Sequence, residues 1–127
     1  MKRIVIAMQN ALVGEAVSGS LKRRGFFVEK SLSWQPERIA ALCGDYFADL
    51  CLMDVGRSAE SSFEVRVDTV QRIRKKTPTV KTGLFCDNLS DPEIAFRVKQ
   101  AKEEGIIDVF FYESVRTDYM ADVVDSL

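Results

Sequence analysis

The 127-residue chain predicts a three-layer α/β domain, a doubly wound, five-stranded parallel sheet with helices on both faces. Three observations carry this reading. Apolar runs of strand length alternate with segments of helical period from one end of the chain to the other. The connections between them are short, with no repeat, low-complexity tract or Pro/Gly/Ser-rich linker, so one domain over residues 1–127 is expected. The hydrophobic share of 46 % and the charged share of 29 % suit one buried core under a soluble surface.

Each element has its own signals. Ile4–Met8 is apolar throughout, as expected of a strand covered on both faces. Leu12–Arg24 places Leu12, Ala16, Val17 and Leu21 on one helical face, and Gly25 stops it. Phe26–Val28 reads as the second strand. Pro36 opens a helix whose inner face is Ile39, Ala40, Leu42 and Cys43. Leu50–Met53 is the third strand, bounded by Asp49 and Asp54. A third helix from about Ser62 to Lys76 buries Phe63, Val67, Val70 and Ile73, and Pro78 marks its end. The fourth strand lies between Val80 and Cys86, with Lys81 and Gly83 as its weak points. Asp91-Pro92-Glu93 combines a capping acid, a proline in the first turn and a carboxylate at the positive helix end. That helix runs through Ile94, Ala95, Val98 and Ala101 to Gly105. Ile106–Tyr112 is the fifth strand, and a last helix from about Ser114 carries Val115, Tyr119, Val123 and Val124.

Composition removes several function classes. There is no histidine, which excludes Ser-His-Asp and Cys-His catalysis, a histidine-bearing zinc site and a phosphohistidine carrier. Cys43, Cys51 and Cys86 form no CxxC pair, so a disulfide framework is not expected and a reducing cytoplasm is the natural setting. Eighteen basic against nineteen acidic residues give a net charge of −1, which provides no global drive toward nucleic acid or anionic membrane. The clusters Lys22-Arg23-Arg24 and Arg72 to Lys76 lie at helix C-termini, where cations complement the helix dipole. The apolar run Ile4–Met8 is too short for a signal-peptide core or a membrane span. A Gly-rich phosphate cradle after the first strand is not expected, since Met8 to Gly14 contains one glycine, already inside the helix.

In sheets of this class ligands bind outside the carboxyl ends of the strands. Those ends carry Met8 to Asn10, Asp54 to Ser58, Cys86 to Asn88 and Tyr112 to Ser114. Asp54 is the most informative of them. An acid there can simply terminate the strand and cap the following loop, or it can do chemistry at the rim.

Three segments bear on that choice: Ala48-Asp49-Leu50-Cys51-Leu52-Met53-Asp54, Arg72-Ile73-Arg74-Lys75-Lys76-Thr77-Pro78 and Gly105-Ile106-Ile107-Asp108-Val109-Phe110-Phe111. In their joint order and spacing the chain resembles the receiver domain of bacterial two-component response regulators, from about Lys2 to the C-terminus. The resemblance implies a flavodoxin-like fold with strand order 2-1-3-4-5. It implies Asp54 as phosphoacceptor from a sensor histidine kinase or other signalling protein, with Mg2+ held by Asp54, the Gly56 carbonyl and an acid pair after the first strand. It also implies a Thr or Ser after the fourth strand that contacts the phosphoryl group, and a lysine after the fifth. The chemistry needs these groups because an anionic phosphoryl group must be neutralised as it is transferred.

The chain departs from that pattern. The acid pair falls on Met8 and Gln9, followed by Asn10, so Gln9 is a weak neutral substitute. The lysine falls on Tyr112, with Glu113 next, and the Thr/Ser position is shared between Cys86 and Ser90. Metal binding and phosphoryl acceptance are therefore expected to be weak or absent, with Asp87 as a displaced metal ligand in the former case. Two versions stand: an inefficient phosphoacceptor, and a pseudo-receiver whose surfaces bind partners without phosphate. Either is a binding module and not an enzyme. The face formed by the fourth helix, fifth strand and fifth helix is expected to dock partners or a second copy through Arg97, Phe111, Arg116 and Tyr119. No contact with nucleic acid or membrane is expected of this domain. The alternative from another class is a small nucleotide- or cofactor-binding module on the same scaffold.

Overall fold

The computed structural model describes residues 2–127. Five strands, β1 (Arg3–Ala7), β2 (Phe27–Lys30), β3 (Leu50–Asp54), β4 (Lys81–Cys86) and β5 (Val109–Tyr112), form one all-parallel sheet in the order β2-β1-β3-β4-β5. Five helices intervene: α1 (Ala11–Arg23), α2 (Pro36–Asp45), α3 (Phe63–Lys76), α4 (Pro92–Glu103) and α5 (Thr117–Ser126). A short 3-10 turn, Ala59–Ser61, precedes α3.

The alternation of the pleat divides the core in two. Ile4, Ile6, Leu50, Leu52 and Phe85 pack with Val17 and Leu21 of α1 and Met120 and Val124 of α5. Val5, Cys51, Met53 and Leu84 pack on the opposite face with Ile39 of α2, Val70 and Ile73 of α3 and Val98 of α4. The central strands are apolar because both faces are covered, whereas the edge strand β2 is at most half-buried.

Local chemistry fixes the boundaries. Asn10 caps α1 by accepting from Leu12 and Val13 N–H, Ser62 caps α3, and Asp91 caps α4. Gly25 and Gly105 follow α1 and α4 with φ of +93° and +77°, conformations that disfavour a Cβ. Gly83 answers the weakness expected of β4: a Cβ there would stand 2.7 Å from Val109 Cγ1 and 2.8 Å from Leu52 Cδ2, so the glycine fits a crowded strand crossing.

Two boundaries differ from expectation. β5 starts at Val109, because Asp108 pins a turn before it. Its N–H donates to the Thr82 carbonyl at 2.9 Å, and its carboxylate accepts from Thr82 N–H at 2.8 Å. α5 starts at Thr117, because the chain after β5 first makes a turn closed by Val115 N–H to the Tyr112 carbonyl at 3.0 Å. All three cysteines are buried and free. Among the described residues no helix is long and apolar enough to cross a membrane.

Candidate functional site at the carboxyl ends of the strands

The register Ala7↔Met53, Asp54↔Phe85 and Cys86↔Tyr112 brings the strand ends to one rim. A cavity of about 410 Å3 opens there, and Gln9, Asp54, Gly56, Asp87, Ser90 and Glu113 all line it. The structure thus gathers the loop residues singled out in the sequence. What it does with Asp54 is different.

Asp54 is 4 % exposed and its carboxylate is already occupied. Oδ1 accepts from Gln9 N–H at 2.8 Å and from Arg66 Nη2 at 3.0 Å, while Oδ2 accepts from Asn10 N–H at 2.8 Å. Arg66, on the inner face of α3, is 1 % exposed. It also donates from Nε to the Asp54 carbonyl at 2.7 Å and from Nη2 to the Ala7 carbonyl at 3.2 Å. Burial pulls the Arg66 pKa down and the Asp54 charge opposes this; an arginine in a protein stays protonated. A carboxylate, a guanidinium and two backbone N–H groups therefore close on one another at the end of β3. Each charge-assisted bond contributes about 1.5–3 kcal/mol, so turning the carboxylate outward to attack an electrophile sacrifices several of them together.

The Mg2+ site implied by the receiver resemblance does not fit these residues. Gln9 and Asn10 present backbone N–H donors to Asp54, and a divalent cation needs oxygen ligands. The Gln9 side chain, expected as a weak ligand, instead donates from Nε2 to Glu60 at 3.2 Å. No group of three or more acids or cysteines able to hold a metal occurs among the described residues. Gly56 lines the cavity but stands beside a carboxylate neutralised by Arg66.

The other predicted contacts divide. Ser90 lines the cavity, while Cys86 does not: it is fully buried, its Sγ lies 3.9 Å from the Phe111 carbonyl, and burial pushes its thiol up to about 12. Cys86 is corrected from a phosphoryl contact to a core residue, since the pleat turns it toward the α2–α4 layer. Asp87 accepts from the N–H groups of Leu89 and Ser90 at 3.1 and 3.0 Å, which makes it a loop cap and holds its pKa down. At the end of β5 no lysine faces the rim. Tyr112 packs edge-on to Phe110 at 5.5 Å. Glu113 is pushed up in pKa by burial, then by Asp54 and Asp87.

The expected partner face also changes. Phe111 is 4 % exposed and stacks on Phe85 at 4.9 Å, so it is core and not surface. Arg97 is turned toward α3, over the Phe63 ring at 4.3 Å and bonded to Glu64 at 2.7 Å, because position 97 lies on the α3 side of the buried Ala95–Val98–Ala101 stripe. Arg116 and Tyr119 are exposed as expected, and Phe96 of α4 is an exposed aromatic that sequence reasoning missed.

The most important omission was Arg66. Its spacing to Val70 and Ile73 is that of a buried helical face, a signal present in the sequence but masked by its charge.

No family model and no curated protein matches the chain. Solved structures do. A CheY-like response regulator receiver domain protein from Methanospirillum hungatei has a TM-score of 0.77 at 14 % identity, covering 99 % of this chain and 92 % of its own. A CheY-like protein, TadZ, from Pseudomonas aeruginosa has a TM-score of 0.77 at 16 % identity, covering 99 % and 98 %. The response regulator TrrA from Thermotoga maritima, in complex with Mg2+ and BeF, has a TM-score of 0.73 at 18 % identity, covering 99 % and 98 %. The chain has the fold of a CheY-like response regulator receiver domain.

Proposed function

We propose that this chain is a pseudo-receiver, a signalling module of the two-component type that works through protein contacts and not through an aspartyl phosphate. The single observation that carries the reading is the Asp54–Arg66 pair, buried and completed by the N–H groups of Gln9 and Asn10. In a phosphoacceptor the metal and a lysine neutralise the charge that accompanies phosphoryl transfer. Here a guanidinium from α3 neutralises the carboxylate itself, and Glu113 adds negative charge at the rim. The module is not an enzyme in this reading, and Mg2+ has no role in it. Partners dock on surfaces of fixed conformation, with Phe96, Arg116 and Tyr119 as exposed contacts.

Intact mass after incubation with acetyl phosphate and Mg2+ tests this, beside an Asp54→Asn control and a receiver with its acid pair intact. The expected result is no phosphoryl gain by this chain while the intact receiver is modified. A gain that the Asp54→Asn variant lacks overturns the reading.

A further inference from the structure

A second, smaller cavity of about 230 Å3, lined in part by Arg66, opens between the end of β1 and the loop from β2 to α2. Its walls include Gln9, Leu32, Ser33, Trp34, Glu60 and Arg66. Three of its features are independent of Asp54. Nη1 of Arg66 is buried and has no hydrogen-bond partner among the described residues, although Nε and Nη2 are both satisfied. Buried donors without an acceptor are uncommon, and one on a charged group is more so. Glu60, an acceptor, stands on the same wall and accepts from the Gln9 amide. Trp34 and Leu32 are exposed apolar side chains at the mouth, where an aromatic ring has a face to offer.

These features select a ligand chemistry. A donor and an acceptor in one pocket match an amide edge, a carbonyl oxygen beside an N–H. The Arg66 charge is already balanced by Asp54, so an added anion would meet Glu60 without a compensating cation, and a simple cation would bring no acceptor for Nη1. The Gln9 carboxamide shows the principle in part, because it satisfies Glu60 and leaves Nη1 unpaired. We propose that this cavity binds a small, neutral, planar amide whose carbonyl accepts from Arg66 Nη1, whose N–H donates to Glu60 in place of Gln9, and whose ring lies on Trp34. Nη1 is buried in the resting structure, so binding requires the side chains around it to shift, and the Gln9 amide gives up Glu60. Because the same guanidinium holds Asp54, occupancy reaches the strand-end site with no phosphoryl group involved.

Titration of the 15N-labelled chain with benzamide tests the proposal, with benzoate as the charged counterpart. Trp34 is the sole tryptophan, so its indole N–H gives one signal in the wall, and the Arg66 Nε–H reports the floor. Both signals should shift saturably with benzamide at millimolar affinity, and benzoate should bind at least about tenfold more weakly. Glu60→Gln, a change at a partly exposed side chain, should narrow that gap. Non-saturating shifts, a Trp34 shift without an Arg66 shift, or benzoate binding as well as benzamide would each overturn the site, leaving a cavity that only holds water.

Discussion

Two ion pairs stand at the same rim of the sheet with nearly equal lengths. Arg66–Asp54 spans 3.0 Å and Arg57–Asp91 spans 2.7 Å. The shorter one has an arginine side chain 77 % exposed to solvent, while in the longer one both partners are almost wholly buried. Water screens the first and lets its partners part at little cost. The second has no solvent to fall back on, so each charge depends on the other and on the carbonyls and N–H groups around them. Length therefore says little about what a pair does here. Burial makes Arg66–Asp54 part of the architecture and leaves Arg57–Asp91 an optional clasp between the loop after β3 and the start of α4.

The contrast is sharpest under mutation. Arg66→Met strands the Asp54 carboxylate in the interior and should cost about 3–5 kcal/mol in urea denaturation. A cost near zero would break the comparison at its root. Combining Arg66→Met with Asp54→Asn should cost less than the sum of the two single changes, with a coupling of about 2 kcal/mol; additive losses would show that the two side chains do not depend on one another.

Glu113 offers a pH test on the same rim. Its folded pKa is raised above the ordinary value of 4.5, by burial first and then by Asp54 and Asp87. The folded state holds that proton to higher pH than the unfolded chain does, so stability falls as pH climbs from about 4.5 through the raised value. Glu113→Gln removes this loss and should gain on the wild type across that window, then run parallel to it at higher pH. Profiles that run parallel throughout would mean that Glu113 does not feel the rim.

The smallest effect belongs to Arg57→Ala, whose urea midpoint should match that of the wild type at moderate salt. Raising the salt should weaken any residual difference and leave the cost of Arg66→Met unchanged, since mobile ions screen exposed charges and not buried ones.

How much of this was legible beforehand varies along the chain. The apolar run at β1, the Asp91-Pro92-Glu93 start of α4 and the glycines after α1 and α4 are local signals, and each falls where its local physics requires. The boundaries of β5 and α5 moved because the turns beside them depend on a partner 26 residues away, Thr82, and on a turn closed after the strand. At the rim, residue types were informative by what was missing: no acids at positions 8–10 and no lysine at 112. Side-chain direction was not informative: Cys86 and Phe111 turn into the core, while Arg97 stays exposed and pairs with Glu64 of α3.

The sequence by itself determined the order of strands and helices and the fold class, because these depend on periodicity, caps and residue identity within short windows. Only the tertiary structure decided the fate of Asp54. Its partner lies twelve residues on, across the turn into α3, and its other two hydrogen bonds come from backbone N–H groups more than forty residues back. Such a site is assembled by the parallel pairing of β1 with β3 and the packing of α3 over their ends, and no window of the chain contains it.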